Sequence, residues 1–160
     1  MSVDIYLRVE GATGESKDAA HAGWIDSLTF NWGASQPGNM NVGGGGGTGK
    51  VAYKDLTVQA YIDKATPSLL KYCSSGKHVA KVELSLCKAG GTQIEYSRIV
   101  LEDVLITTVE FNGIGDTDEV IVNYAFQASK VKMHYWEQSS LGSKGAETMS
   151  GWDIKQNKEM

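Results

Sequence analysis

The sequence predicts a mainly β fold, mostly antiparallel strands closed into a barrel or sandwich with one short α-helix packed outside and a long Gly-rich loop, in a single domain over residues 1–160. Three observations carry this. Apolar residues recur with period two along most of the chain, as in strands with one buried face. A single segment shows helical spacing with both ends marked. Seven of the nineteen glycines fall between Gly38 and Gly49, so the glycine excess belongs to one loop and the rest of the chain is compositionally ordinary.

The elements follow in order. Val3, Ile5, Leu7 and Val9 alternate with Asp4, Tyr6 and Arg8 as a first strand. In the next run Trp24, Leu28, Phe30 and Trp32 hold the even positions, which assigns them to the core and points Ser27, Thr29 and Asn31 outward. Residues 51–58 read as strand. Thr66 as N-cap, Pro67 at the first helical position, and Leu69, Leu70 and Cys73 before a closing Gly76 predict a helix. So short a helix is marginal alone and must lie on the sheets. Val82, Leu84 and Leu86 then alternate with Lys81, Glu83, Ser85 and Cys87, and the runs Ile94–Leu101 and Val104–Phe111 follow. The last long run puts Val120, Val122, Tyr124 and Phe126 on even positions but Val131, Met133 and Tyr135 on odd ones. That slip predicts a bulge or bend near Ala128–Lys130.

Composition narrows the function. Fifteen Lys and Arg against nineteen Asp and Glu give a net charge of −4, which disfavours a nucleic-acid footprint over the whole surface. No apolar stretch approaches the roughly 18 residues of a membrane span, so no membrane insertion is expected. The start MSVDIYLRVEG has an acid at Asp4 and no apolar core, which speaks against a secretory signal peptide and for a cytoplasmic origin. Cys73 and Cys87 are too few for a zinc quartet and are expected to be free thiols.

Four constellations invite a chemical reading. Gly44–Lys50, GGGGTGK, satisfies the spacing of a phosphate-binding loop, but Val51 replaces the Ser or Thr that would hold Mg²⁺ and strand follows in place of helix. Asp116, Asp118 and Glu119 lack the ligand order of a calcium loop and read as an acidic turn. Ser16, His21 and Asp26 contain the residue types of a hydrolytic triad without a nucleophile elbow. His78 and His134 have no Cys or His at metal spacing. Trp24 and Trp32 are assigned to the core, whereas Trp136 and Trp152 flank a Gly and Ser-rich connection and stay open between core, interface and a sugar-stacking platform. No catalytic site, cofactor or metal is therefore expected. The alternative reading is a carbohydrate-binding β-sandwich module.

The segments GESKDAAHAGWID (14–26), NWGASQPGNMNVGGGGGTGKV (31–51), YIDKATPSLLKYCSSGKH (61–78), KAGG (88–91), IEYSRIVLEDVLITTVE (94–110) and GWDIKQN (151–157) resemble the haemolysin-coregulated protein (Hcp) family of the bacterial type VI secretion system. The resemblance runs in order from Asp4 to Asn157. Asn31 stands where members often carry a small hydroxyl residue between two aromatics. The resemblance implies a two-sheet antiparallel β-barrel with one short flanking α-helix, and hexameric rings stacked into a hollow tube, tipped by a valine-glycine-repeat spike protein, propelled by a contractile sheath and carrying effector proteins in its lumen. It implies export without a signal peptide. On this reading Gly38, Met40, Val42, Gly43, Gly47 and Lys50 contact a neighbouring subunit or ring, and Ser27, Thr29 and Asn31 face the lumen. Ring closure uses a heterologous interface, and stacking repeats along an open axis.

Overall fold

The computed structural model describes residues 2–38, 49–89, 93–139 and 142–160. Along them run β1 (Val3–Val9), β2 (Ile25–Asn31), β3 (Ala34–Ser35), β4 (Ala52–Tyr53), β5 (Leu56–Tyr61), α1 (Thr66–Ser75), β6 (His78–Lys88), β7 (Ile94–Gly113), β8 (Val120–Gln138), β9 (Lys144–Asp153) and β10 (Lys158–Glu159). One sheet has the order β10-β9-β8-β5-β2-β1-β6-β7 and closes on itself because β7 also pairs with β8. A six-stranded antiparallel barrel results, with β9 and β10 continuing the sheet from the second half of β8. A second, small sheet, β3 with β4, stands at the base of the Gly-rich segment. Leu7, Leu56, Leu84, Leu101, Tyr124 and Phe126 fill the barrel.

The predicted phase slip falls at a corner shared by two strands. Inward residues are Val122, Tyr124 and Phe126 in the first half of β8 but Val131 in the second. In β7 they are Ile99 and Leu101, then Val104 and Ile106. Both strands change phase where Asp103, at φ 50°, lies beside Ser129, and there β8 exchanges β5 for β9 as its partner. Asp is one of the few side chains that tolerates this left-handed conformation. Its carboxylate accepts hydrogen bonds from His78 Nδ1 (2.9 Å), Ser129 Oγ (2.7 Å) and Lys155 Nζ (3.1 Å), which hold it well below the usual carboxylate range.

Three expectations are corrected. Thr66 does not cap α1: the position before the helix is Ala65, whose N–H is bound by the Asp63 carboxylate (2.9 Å), and the buried Thr66 hydroxyl instead meets Tyr124 Oη at 2.7 Å. Gly76 does end the helix, in the left-handed conformation at φ 68°, with its N–H on Cys73 O and that of Lys77 on Tyr72 O. Second, strict alternation fails in β2. Ser27 faces Ala60 on β5 but Thr29 faces Gln59, so Leu28 is an extra residue that reverses the phase. Ile25 and Ser27 take the inner side and Trp32 packs against the core; Phe30 shares the side of Val58 but is itself exposed, and Trp24 and Leu28 leave the core. Third, the segment from Lys144 to Asp153 is strand β9, although its Ala, Thr, Ser and Gly residues show no apolar alternation.

Candidate functional site

The barrel presents two chemically unlike outer faces. Antiparallel partners share a side of the sheet, so Asn31, Thr57, Ala125 and Thr108 form one outward row across β2, β5, β8 and β7. Thr29, Gln59, Asn123 and Glu110 form the next, with Phe30, Val58, Tyr124 and Val109 pointing inward between them. Glu110 is the only ionisable side chain of the two rows. Thr57 Oγ1 donates to Asn31 O (3.3 Å) and Gln59 Nε2 to Asn123 Oδ1 (3.4 Å).

The opposite face, over β1, β6, β7 and β9, is a ladder of ion pairs. Arg8 and Arg98 share Glu83 at 3.1 and 2.9 Å, Arg98 reaches Glu95 at 2.7 Å, and Lys144 reaches Glu95 at 3.0 Å. Burial alone would raise the Glu95 carboxyl, but hydrogen bonds from Ser85, Arg98 and Lys144 outweigh it and hold the group below its ordinary range.

Ser27 belongs to neither face. It is half-buried on the inner side opposite Ala60, and its hydroxyl donates to Ile25 O within its own strand (3.1 Å). Thr29 and Asn31 are exposed and outward. Gly38 and Lys50 are exposed where the Gly-rich segment leaves and rejoins the described chain, and Met40, Val42, Gly43 and Gly47 lie outside the described residues. The alternation of β2 pointed to Thr29 and Asn31; their companions Thr57, Gln59, Asn123 and Thr108 needed the strand register.

The four constellations resolve as follows. Most of the phosphate-loop pattern lies outside the described residues. Thr117 Oγ1 bonds Ile114 O within the acidic turn (3.0 Å), and among the described residues no group of three or more His, Cys, Asp or Glu is placed to hold a metal ion. His21 joins neither Ser16 nor Asp26. It lies buried under the loop between β1 and β2, with Nδ1 2.7 Å from Asp18 and Nε2 3.0 Å from Ser85 on β6. Its ring stacks on Tyr6, centroids 4.2 Å apart, and meets the edge of Trp24. The loop also buries Cys87, whose thiol burial pushes up. Ser85 is wholly buried, so the set cannot act on a substrate.

Neither of the open tryptophans offers a free aromatic face. Trp136 stacks on His134 at 5.5 Å, carries the Lys144 ammonium 3.5 Å from its centroid and donates its N–H to Glu147 (2.9 Å). Trp152 packs against the core, its buried Nε1 without a hydrogen-bond partner among the described residues.

A family model described as type VI secretion system effector, Hcp, matches residues 6–135. The chain belongs to the Hcp family. It is 44% identical to protein hcp1 of Pseudomonas aeruginosa over 98% of both chains, and 37% identical over 65 residues to that organism's major exported protein, 39% of this chain and 38% of that one. The crystal structure of Hcp1 from Salmonella typhimurium is similar over 100% of both chains, with a TM-score of 0.84 and 34% identity. Another solved structure, a type six secretion system protein, reaches a TM-score of 0.91 at 26% identity, over 99% of this chain and 100% of that one. Hcp proteins are secreted components of the type VI system, not enzymes, and no helix among the described residues is long and apolar enough to cross a membrane.

Proposed function

We propose that this Hcp protein is a structural tube subunit that closes into hexameric rings, that the rings stack into a hollow tube, and that the tube carries effector proteins in its lumen when a contractile sheath drives it, behind a valine-glycine-repeat spike, out of the cytoplasm. The observation that carries this reading is the largely uncharged polar face of β2, β5, β8 and β7, which includes Thr29 and Asn31 and, in its two rows, the single ionisable residue Glu110. A conduit needs a wall that wets its cargo without holding it. Uncharged hydrogen-bonding groups, net about 0.5 to 1.5 kcal/mol each, suit that better than fixed charges, and repetition around a ring adds weak contacts together.

The same four strands supply ring closure. β1 pairs with β2 only as far as Ser27, and β6 pairs with β7 only as far as Leu105, so each end of the neutral sheet has an open strand edge. Leu28 and Phe30 are exposed at one end, Phe111 at the other. Apposing unlike edges of successive copies buries both and forms a closed heterologous ring. Residues Gly38 to Lys50 extend the contact to a neighbouring subunit or ring. The carbohydrate-binding alternative has less support, because Trp136 and Trp152 are already engaged. Negative-stain microscopy with light scattering tests the proposal: six-fold rings are expected, and a mass near 17.3 kDa at micromolar concentration with no larger species overturns it.

A further inference from the structure

The loop between β1 and β2 drives a single ionisable ring into the polar side of β6. Around His21, Asp18 lies on its own loop, Ser85 and Cys87 on β6, Glu95 and Arg98 on β7, and Tyr6 on β1. The hydrogens of this cluster are fixed by its distances. Asp18 Oδ2 already accepts the N–H of Ala20 (3.2 Å), so at 2.7 Å it accepts from His21 Nδ1 as well. Ser85 Oγ lies 2.5 Å from Glu95 Oε2, a contact that requires the one hydroxyl hydrogen of Ser85. Nothing remains on Ser85 to donate to His21 Nε2 at 3.0 Å, so the nitrogen must donate. The Cys87 thiol, 3.9 Å from Nε2, is too distant to replace it as a full-strength donor.

We propose that His21 is a buried imidazolium, protonated on both ring nitrogens, that pins the β1–β2 loop to the barrel through Asp18 on one side and the Ser85–Glu95 pair on the other. Tyr6, stacked in parallel, puts its π-face against the cation, and the edge of Trp24 closes the site. Without that second proton Ser85 would have one hydrogen for two acceptors, and the bond between Nε2 and Ser85 Oγ would be lost. The loop it holds leads directly into β2, so the device sets how firmly the start of that strand is fixed.

The test is two-bond ¹H–¹⁵N spectroscopy at neutral pH on ¹⁵N-labelled protein carrying His78→Gln and His134→Gln, which leaves His21 as the only imidazole. Both nitrogens should resonate in the protonated range. A bare imine nitrogen at neutral pH overturns the proposal. Adding Ser85→Ala should shift Nε2 to the bare range while the amide spectrum of the barrel persists; a doubly protonated ring in that variant overturns the role given to Ser85. Should that variant unfold, Glu95→Ala, which removes the acceptor of the Ser85 hydrogen, is expected to give the same bare Nε2, and two protonated nitrogens there count against the pin.

Discussion

Ser27 and Thr29, two residues apart in one strand, point to opposite sides of the sheet. Ser27 opposes Ala60 and Thr29 opposes Gln59, with Leu28 as the extra residue between them. Substitutions of equal size at the two ends of β2 should therefore act differently. Asn31→Arg should leave unfolding in urea nearly unchanged, within about 0.5 kcal/mol, as at other exposed sites. Ser27→Arg, which forces a charge among Ala60 and Ile5, should lower stability by at least about 2 kcal/mol. Equal midpoints for the two variants would place both on one face.

Within the proposed tube, Asn31→Gln or Asn31→Arg should preserve rings while reducing retention of whichever effector co-purifies. The amount of bound effector per ring is the readout. Rings that dissolve on this substitution would assign Asn31 to a subunit interface.

In the proposed ring, closed through the two open edges, Phe111 is a contact residue. Phe111→Glu should weaken assembly by more than about tenfold, about 1.4 kcal/mol, with the monomer's far-ultraviolet circular dichroism retained. Native mass spectrometry that finds intact rings at unchanged concentration removes β7 from the interface.

Shortening the Gly-rich loop by deleting Gly43–Gly47 is expected to leave the barrel folded and to impair stacking and export. Normal export of that variant would reduce the segment to a spacer.

Tyr124 is buried with its hydroxyl on Thr66, and burial first of all pushes its phenol from the usual 10.0 up to about 12. A raised phenol favours the folded state while neutral. Its contribution is complete below the unfolded value near 10.0 and is lost as pH rises toward about 12. Stability should fall across that window, and Tyr124→Phe should flatten the fall at a neutral-pH cost of about 1 kcal/mol. A slope unchanged by Tyr124→Phe would assign the alkaline loss to other groups.

Both cysteines are free, Cys73 half-buried on α1 and Cys87 buried. Titration under unfolding conditions should find two thiols, and under native conditions Cys73 should react well before Cys87. Simultaneous labelling would mean that the β1–β2 loop does not shield β6.

The barrel was legible in the sequence because its inward rows, such as Leu7, Leu84 and Tyr124, are apolar at period two, and so was the corner, because Val131 breaks the phase of Phe126. Three features were not. An inserted residue such as Leu28 leaves no mark when it is itself apolar, so periodicity carried Ser27 onto the wrong side. Strand β9 is too small and polar to show a period; its backbone pairs with β8 regardless of its side chains. The fate of His21 depended on Ser85, 64 residues away, and only the register of β6 brings the two together. The neutral wall was likewise half visible, because Thr57, Asn123 and Thr108 are ordinary strand residues until four strands align them.

The long β7–β8 hairpin, paired from Ser97 opposite Tyr135 to Gly113 opposite Val120 with one register shift between Ile106 and Thr108, has a mechanical consequence. Tension applied along its strands loads the whole ladder in shear, so its hydrogen bonds must fail together. Force that peels its open end breaks them one at a time. The chain is therefore stiff to tension along β7 and β8 and soft at the β9 rim, where optical-trap unfolding should begin.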